Sequence, residues 1–414
     1  MSVESRVAPP ARQAGTPGDL AALICDEVAR QILARHPHAV RAVVVTGSLA
    51  RGESTVSTEA SGAVVLGDAE FLVVFADQTP LPGAEEAGTL ASEIEHALRA
   101  RGVACPITLS PVHSNYLRAL RPHIFAYELR SCGRVVAGDP DVLAQIPDFG
   151  VSAIPLEDAW RLLCNRLVEQ LEIAPGQAPP RYRTAKLHLD MATSLLLFTG
   201  GYEPTYRQRE ARLRALRADS PADALPFPLG PFSERVSLCT RWKLDGSTEP
   251  PDLPAADAIG HARRLWRWEL ARLTAIPTGT PNPLRPDDLL PDHVLMDRWM
   301  HQQPLAEQAR GWLYLLRRLG WHRSWQEWPR WSRLGRQGSP RYWVYAAACR
   351  LLFQLPDLQR TGGDLSPGSA EWTAIARALP VLPPAGPCIA GPAWWQLAEA
   401  VAWNYRTFLV DTRA

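Results

Sequence analysis

Ala39-Val40-Arg41-Ala42-Val43-Val44-Val45-Thr46-Gly47-Ser48-Leu49-Ala50-Arg51-Gly52-Glu53, answered by Val64-Val65-Leu66-Gly67-Asp68-Ala69-Glu70-Phe71-Leu72-Val73-Val74-Phe75, decides how this chain is read. The first stretch is a buried strand, a tight Gly-Ser turn and a polar segment that could open a helix. The second is a strand that carries two carboxylates one residue apart. Side chains alternate faces along a strand, so Asp68 and Glu70 project from the same face.

Two carboxylates on one face repel each other unless a cation lies between them. Magnesium is the usual solution, held by one or two carboxylates together with substrate phosphates. The Gly-Ser turn suits those phosphates, because glycine lets the backbone approach closely and free amides at a turn bind anions. Arg51 adds a fork of donors matched to phosphate oxygens.

Strand, Gly-Ser turn, then Asp-x-Glu on the next strand resembles the polymerase-β-type nucleotidyltransferase superfamily. The string at residues 46–53 is similar to its form in small-molecule and antibiotic nucleotidyltransferases. The resemblance covers residues 20–215. It implies that Asp68 and Glu70 are catalytic and hold magnesium in a two-ion site. It also implies that Gly47 and Ser48 cradle the β- and γ-phosphates of a nucleoside triphosphate, and that Arg51 and Lys186 neutralise the leaving group. The competing reading is an ordinary turn followed by an edge strand with exposed acids. Nineteen residues separate Ser48 from Asp68, more than is usual for the family, and residues 54–62 read as a loop that lengthens the connection.

The order of elements agrees with that resemblance. Residues 19–35 and 85–101 have helical spacing, and residues 103–112 read as a third strand, giving a mixed-sheet core. Family members usually place a third carboxylate on that strand, as the base for the attacking hydroxyl. Here it offers Thr108 and Ser110. Glu128, in Ile124-Phe125-Ala126-Tyr127-Glu128-Leu129-Arg130, is the candidate base, or else it pairs with Arg130 or Arg121 at a sheet edge. Residues 133–140 read as a short strand with a tight turn.

Composition excludes several classes. The chain has 414 residues and a net charge of +1, which argues against a dedicated nucleic-acid binder. No stretch is long and uncharged enough to span a membrane. Its seven cysteines are scattered, without zinc spacing, as expected for the cytoplasm. Only two of the 44 basic residues are lysines, Lys186 and Lys243.

Beyond residue 150 the pattern turns helical. Residues 156–172 and 182–198 have helical spacing, and within them residues 160–167 and 182–190 are similar to the helical domain that closes over the nucleotide and holds the acceptor in these enzymes. Lys186 and Asp190 share a helix face there, as a nucleotide contact or a surface ion pair. Fourteen of the fifteen tryptophans follow residue 240 in helical runs, including Trp321, Trp325, Trp328 and Trp331. They read as helix-packing core or as a stacking surface for a ligand.

The expected architecture is α+β. A disordered tail (1–18) precedes a mixed-sheet nucleotidyltransferase core (19–150), an all-helical lid (151–220) and a Trp-rich helical C-terminal domain (221–414). The implied reaction moves a nucleoside monophosphate to an acceptor hydroxyl and releases pyrophosphate. The acceptor is expected to be a small molecule or sugar rather than a nucleic acid. The alternative is a non-catalytic nucleotide-binding or scaffold protein.

Overall fold

A computed structural model describes residues 17–59, 62–172, 180–219, 225–246, 249–275, 290–361, 365–382 and 393–410. Residues 1–16 of the expected tail lie outside them, and Pro17 already opens a helix. The chain forms two compact units. One comprises residues up to 153 with 241–249; the other comprises 154–240 with 250–414.

The first unit runs α1 (Pro17–Arg35), β1 (Val40–Val45), the short α2 (Gly47–Ala50), β2 (Thr55–Glu59), β3 (Gly62–Leu66), β4 (Ala69–Phe75), α3 (Ala84–Ala100), β5 (Val103–Ala104), β6 (Ile107–His113), α4 (Ser114–Arg118), α5 (Ile124–Cys132) and β7 (Arg134–Gly138). A four-stranded mixed sheet has the order β6-β4-β1-β7. In it β1 is antiparallel to both neighbours, and β4 is parallel to β6. A smaller sheet has the order β2-β3-β5.

Both faces of the larger sheet are covered, which is why its strands read as continuous apolar runs rather than alternating ones. Val43, Val45, Phe71, Val73 and Phe75 pack with Ile24, Val28 and Ile32 of α1 and Leu90, Ile94 and Leu98 of α3. The intervening Ala42, Val44, Leu72 and Val74 pack with Leu117 of α4, Ala126 and Leu129 of α5, and Val142 and Ile146 beyond β7.

Four details differ from the sequence reading. Residues 54–62, expected to be a loop, include β2 and the start of β3. Thr55 and Val56 are β-branched and face Leu66 and Val65 across the ladder. The acidic segment is not one strand, because Gly67 at φ +103° separates β3 from β4 and leaves Asp68 just ahead of β4. The third strand is likewise divided into β5 and β6 around Cys105-Pro106, where proline lacks a ladder donor. Glu128 stands on helix α5 rather than at a sheet edge, and His123 Nδ1 caps that helix by accepting from the Ala126 N–H at 2.9 Å.

The second unit is helical: α6 (Leu156–Glu169), α7 (Pro180–Phe198), α8 (Tyr206–Asp219), α9 (Leu229–Leu244, whose last four residues belong to the first unit), α10 (Ala255–Ala275), α11 (Asp292–Gln302), α12 (Leu305–Leu334), α13 (Pro340–Leu352), α14 (Leu355–Thr361), α15 (Ala370–Ala378) and α16 (Trp394–Tyr405). One continuous core runs from Trp160 to Phe408, across the boundary at residue 220 that the sequence suggested. At its centre, the buried Trp160 meets the rings of Trp266, Trp299, Tyr342 and Tyr345 at centroid separations of 5.9–6.3 Å. Trp266, Trp268, Trp299 and Trp331 are buried as well, so packing accounts for them.

Packed within that unit is an acid, Glu269 of α10, fully buried. Burial pushes its carboxyl up to about 8, against the opposing pull of the Ser194 hydroxyl and Arg272. The same carboxyl in the unfolded chain titrates near 4.5, so the folded state holds the proton more tightly between these values. Stability attributable to Glu269 is therefore complete below pH 4.5 and is lost as pH rises towards 8. Glu269→Gln is expected to flatten this decline, measured as urea-unfolding free energy against pH for both proteins.

Candidate functional site

The β1–β4 pairing brings the two halves of the sequence signature together. Val45 lies opposite Phe71, and the Thr46 N–H donates to the Glu70 carbonyl at 2.9 Å. The chain then turns at Gly47, where φ is +65°, a conformation that glycine adopts without a Cβ penalty. A Cβ at this position would collide with Oε2 of Glu70, so the carboxylate lies directly against the Gly47 backbone.

Asp68 and Glu70 are exposed on either side of the buried Ala69. Glu70 continues the row of Leu72 and Val74, which faces the α5 side of the sheet. Glu70 is paired in register with Thr108 on β6, one of the two hydroxyls the sequence offered on that strand, and the Thr108 hydroxyl donates to Asp68 Oδ2 at 2.9 Å. The donor set is thus two carboxylates braced by a hydroxyl. Among the described residues, no group of three or more His, Cys, Asp or Glu side chains is placed to hold a metal ion. Two carboxylates with substrate phosphates remain a set that magnesium accepts.

Arg51 is placed differently from its expected role. Its side chain is only 7% exposed and lies between two acids, with Nη1 donating to Glu128 Oε2 at 2.6 Å and Nε to Glu53 Oε2 at 3.3 Å. The guanidinium therefore ties the Gly-Ser turn to α5 and orients Glu128. Ser48 Oγ lies 3.4 Å from Ser54 Oγ, and the Glu53 N–H donates to the Ser48 carbonyl at 2.8 Å, closing the turn. Glu53 was missed in the sequence. Its signal was its position two residues after Arg51, yet nothing in the spacing indicated that it is buried.

Lys186 belongs to the second unit, half-buried on α7, with its ammonium 5.7 Å from the Tyr182 ring centre. Asp190, four residues on, accepts from Arg166 Nε at 2.5 Å, and Arg166 also pairs with Glu169. Burial works against the Arg166 charge, but these two acids outweigh it and its pKa rises. The other lysine, Lys243, is buried in the first unit, and its carbonyl accepts from the Thr55 hydroxyl at 2.9 Å. This contact, with Gly246 against the Val56 carbonyl, fastens residues 243–246 to β2.

Beside the turn, on its α1 side, a cavity of ≈600 Å³ is lined by Leu20, Ile24 and Cys25 of α1, Leu49, Arg51, Val56, Val65, Arg134 and Val136. Burial pushes the Cys25 thiol up, with the Arg134 guanidinium pulling the other way. Asp68 and Glu70 do not line this cavity.

No protein-family model matches the chain, and no curated protein matches it.

Two expectations follow from this geometry. Arg51→Ala would strand two largely buried carboxylates, and removing one partner of a buried pair costs about 3–5 kcal/mol, so chemical denaturation should show a loss of that order. Gly47→Ala should lower stability by about 1 kcal/mol or more from the positive φ alone. It should also displace Glu70, which a crystal structure of the variant would show.

Proposed function

We propose that the first unit is a magnesium-dependent nucleotidyltransferase. The observation that carries this reading is the contact of the Glu70 carboxylate with the Gly47 backbone, with exposed Asp68 two residues before Glu70. It joins an acidic pair suited to a divalent cation to a glycine turn suited to phosphates.

In this reading Asp68 and Glu70 hold magnesium, which would draw charge from the triphosphate as it builds up in the transition state. Gly47 and Ser48 present amides to the β- and γ-phosphates, since the first amides of a helix have no acceptor within it. An acceptor hydroxyl oxygen bonds to the α-phosphorus, and the bridging P–O bond breaks. Pyrophosphate leaves with the electron pair. Glu128 takes the hydroxyl proton, and Arg51 acts as the positioning residue that holds Glu128 against the turn. Lys186 is the cation of the helical unit that this reading assigns to the triphosphate. The acceptor is a small molecule or sugar, and the proposed setting is the cytoplasm. Among the described residues, no helix is long and apolar enough to cross a membrane.

The Thr108–Asp68 hydrogen bond favours a second reading, a nucleotide-binding protein without turnover, because the strand beside the acids offers hydroxyls and no further carboxylate. Pyrophosphate release separates the two. Glu128→Gln should retain nucleotide binding and lose turnover if Glu128 is the base, whereas a binder shows no release in the wild type across a panel of acceptors.

Binding itself is tested without an acceptor. A ligand at a hundred times its dissociation constant adds about 2.7 kcal/mol. Thermal unfolding with ATP, GTP, CTP or UTP should therefore show magnesium-dependent stabilisation by at least one of them. The Asp68→Asn/Glu70→Gln variant should lose it. Equal stabilisation with and without magnesium, or in the variant, would rule out the metal assignment.

A further inference from the structure

Most tryptophans of the helical unit are buried or half-buried, but three are exposed together on α12. Trp321, Trp325 and Trp328 are 72%, 63% and 53% exposed. Their spacing of four and three residues places them on one helix face. The chain breaks helical geometry at Gly320 (φ +74°, ψ +164°), so the three rings start a fresh helical segment. The flank of that segment is anchored: Ser324, Trp331 and Leu334 are buried, and Trp331 Nε1 donates to the Pro380 carbonyl at 3.0 Å. Trp321 and Trp325 stack on each other, with centroids 6.5 Å apart and planes 26° from parallel.

This is the main concentration of exposed apolar surface in the described residues. Of nine exposed large apolar side chains, five belong to α12, with Leu305 and Leu313 joining the three tryptophans. Isolated exposed apolar residues need no explanation, but a contiguous row marks an interaction surface.

Charge identifies the occupant. Residues 305–336 contain seven arginines against two acids, Glu307 and Glu327, in a chain whose overall charge is only +1. Each of those acids already pairs with an arginine three residues on. Arg317 and Arg318 precede the ridge, and Arg333 and Arg336 follow it, all exposed. An uncharged glycan gains nothing from these arginines, and a second copy of the same face would repel them. Single-stranded nucleic acid is usually threaded through a basic groove, whereas these rings stand outward from a helix. Tryptophan rows flanked by arginine suit the boundary between lipid headgroups and acyl chains, where the ring is half-solvated and the guanidinium meets phosphate.

We propose that the Trp321–Trp325–Trp328 ridge docks the protein peripherally on an anionic phospholipid surface, with the flanking arginines on the headgroup phosphates. This is independent of the reaction assigned to the first unit, and the two can fail separately.

The test uses the full chain with phosphatidylcholine vesicles, with and without phosphatidylglycerol. Co-sedimentation is expected only with the anionic vesicles, weakening as salt screens the arginines. Trp321→Ala/Trp325→Ala/Trp328→Ala should weaken it at least tenfold, and the blue shift of the emission that anionic vesicles induce in the wild type should be lost in the variant. Should that variant fold poorly, Arg333→Glu/Arg336→Glu leaves the rings in place and should lose about fivefold per arginine at low salt. No association with anionic vesicles overturns the proposal. So does association that both variants retain, or binding of a labelled single-stranded oligonucleotide that the tryptophan variant loses while vesicle binding is absent.

Discussion

The antiparallel pairing of β1 with β4 is the constraint on which the first unit depends. It places Val45 against Phe71, so the chain leaving β1 must turn beside the residues that open β4. Only a residue without a Cβ can make that turn at φ +65° with the Glu70 carboxylate against it. The apolar residues of both strands are buried on two faces, so a one-residue slip would invert every side chain of the pair. The position of the acids relative to the turn is therefore as firmly held as the core itself.

Arg51 shows how charge is distributed around that turn. An exposed arginine here would have been available to an incoming phosphate, but this one is buried and shared between Glu53 and Glu128. Buried ion pairs add little net stability relative to apolar packing, while breaking one is costly. Their main effect here is geometric, since they link the turn after β1 to α5 across a long stretch of sequence. The Thr108 hydroxyl plays a lesser part of the same kind, bracing Asp68 from β6.

The helical unit solves a different problem, filling a large core with bulky rings. Trp160 and its four aromatic neighbours occupy the centre, where tilted and edge-on contacts are favourable. Glu269 is the exception within this apolar interior and stays protonated well above the ordinary carboxylic range. On the outside, the break at Gly320 exposes one tryptophan row while its neighbour Trp331 is buried, so the same residue type serves packing and surface within two helical turns.

By itself the sequence determined a great deal. Val43, Val44 and Val45, followed by Gly47, marked a doubly buried strand and a turn, and helical spacing marked α1 and α3, because local periodicity and glycine chemistry act over a few residues. Alternation along an extended chain also gave the expectation that Asp68 and Glu70 share a face; the structure leaves Asp68 outside the strand, where the Thr108 hydroxyl donates to it from β6. The tertiary structure alone decided what depends on distant neighbours. Gly67 ends β3 and leaves Asp68 ahead of β4, while Glu128 sits on a helix held by Arg51 rather than at a sheet edge. Residues 243–246 return to β2 through the Lys243 carbonyl. Which tryptophans are buried was equally beyond the sequence, because Trp328 and Trp331 differ by three residues and only the packing of α12 separates their exposures. Burial and ion pairing are properties of surfaces brought together by folding, and spacing along the chain does not encode which surfaces those are.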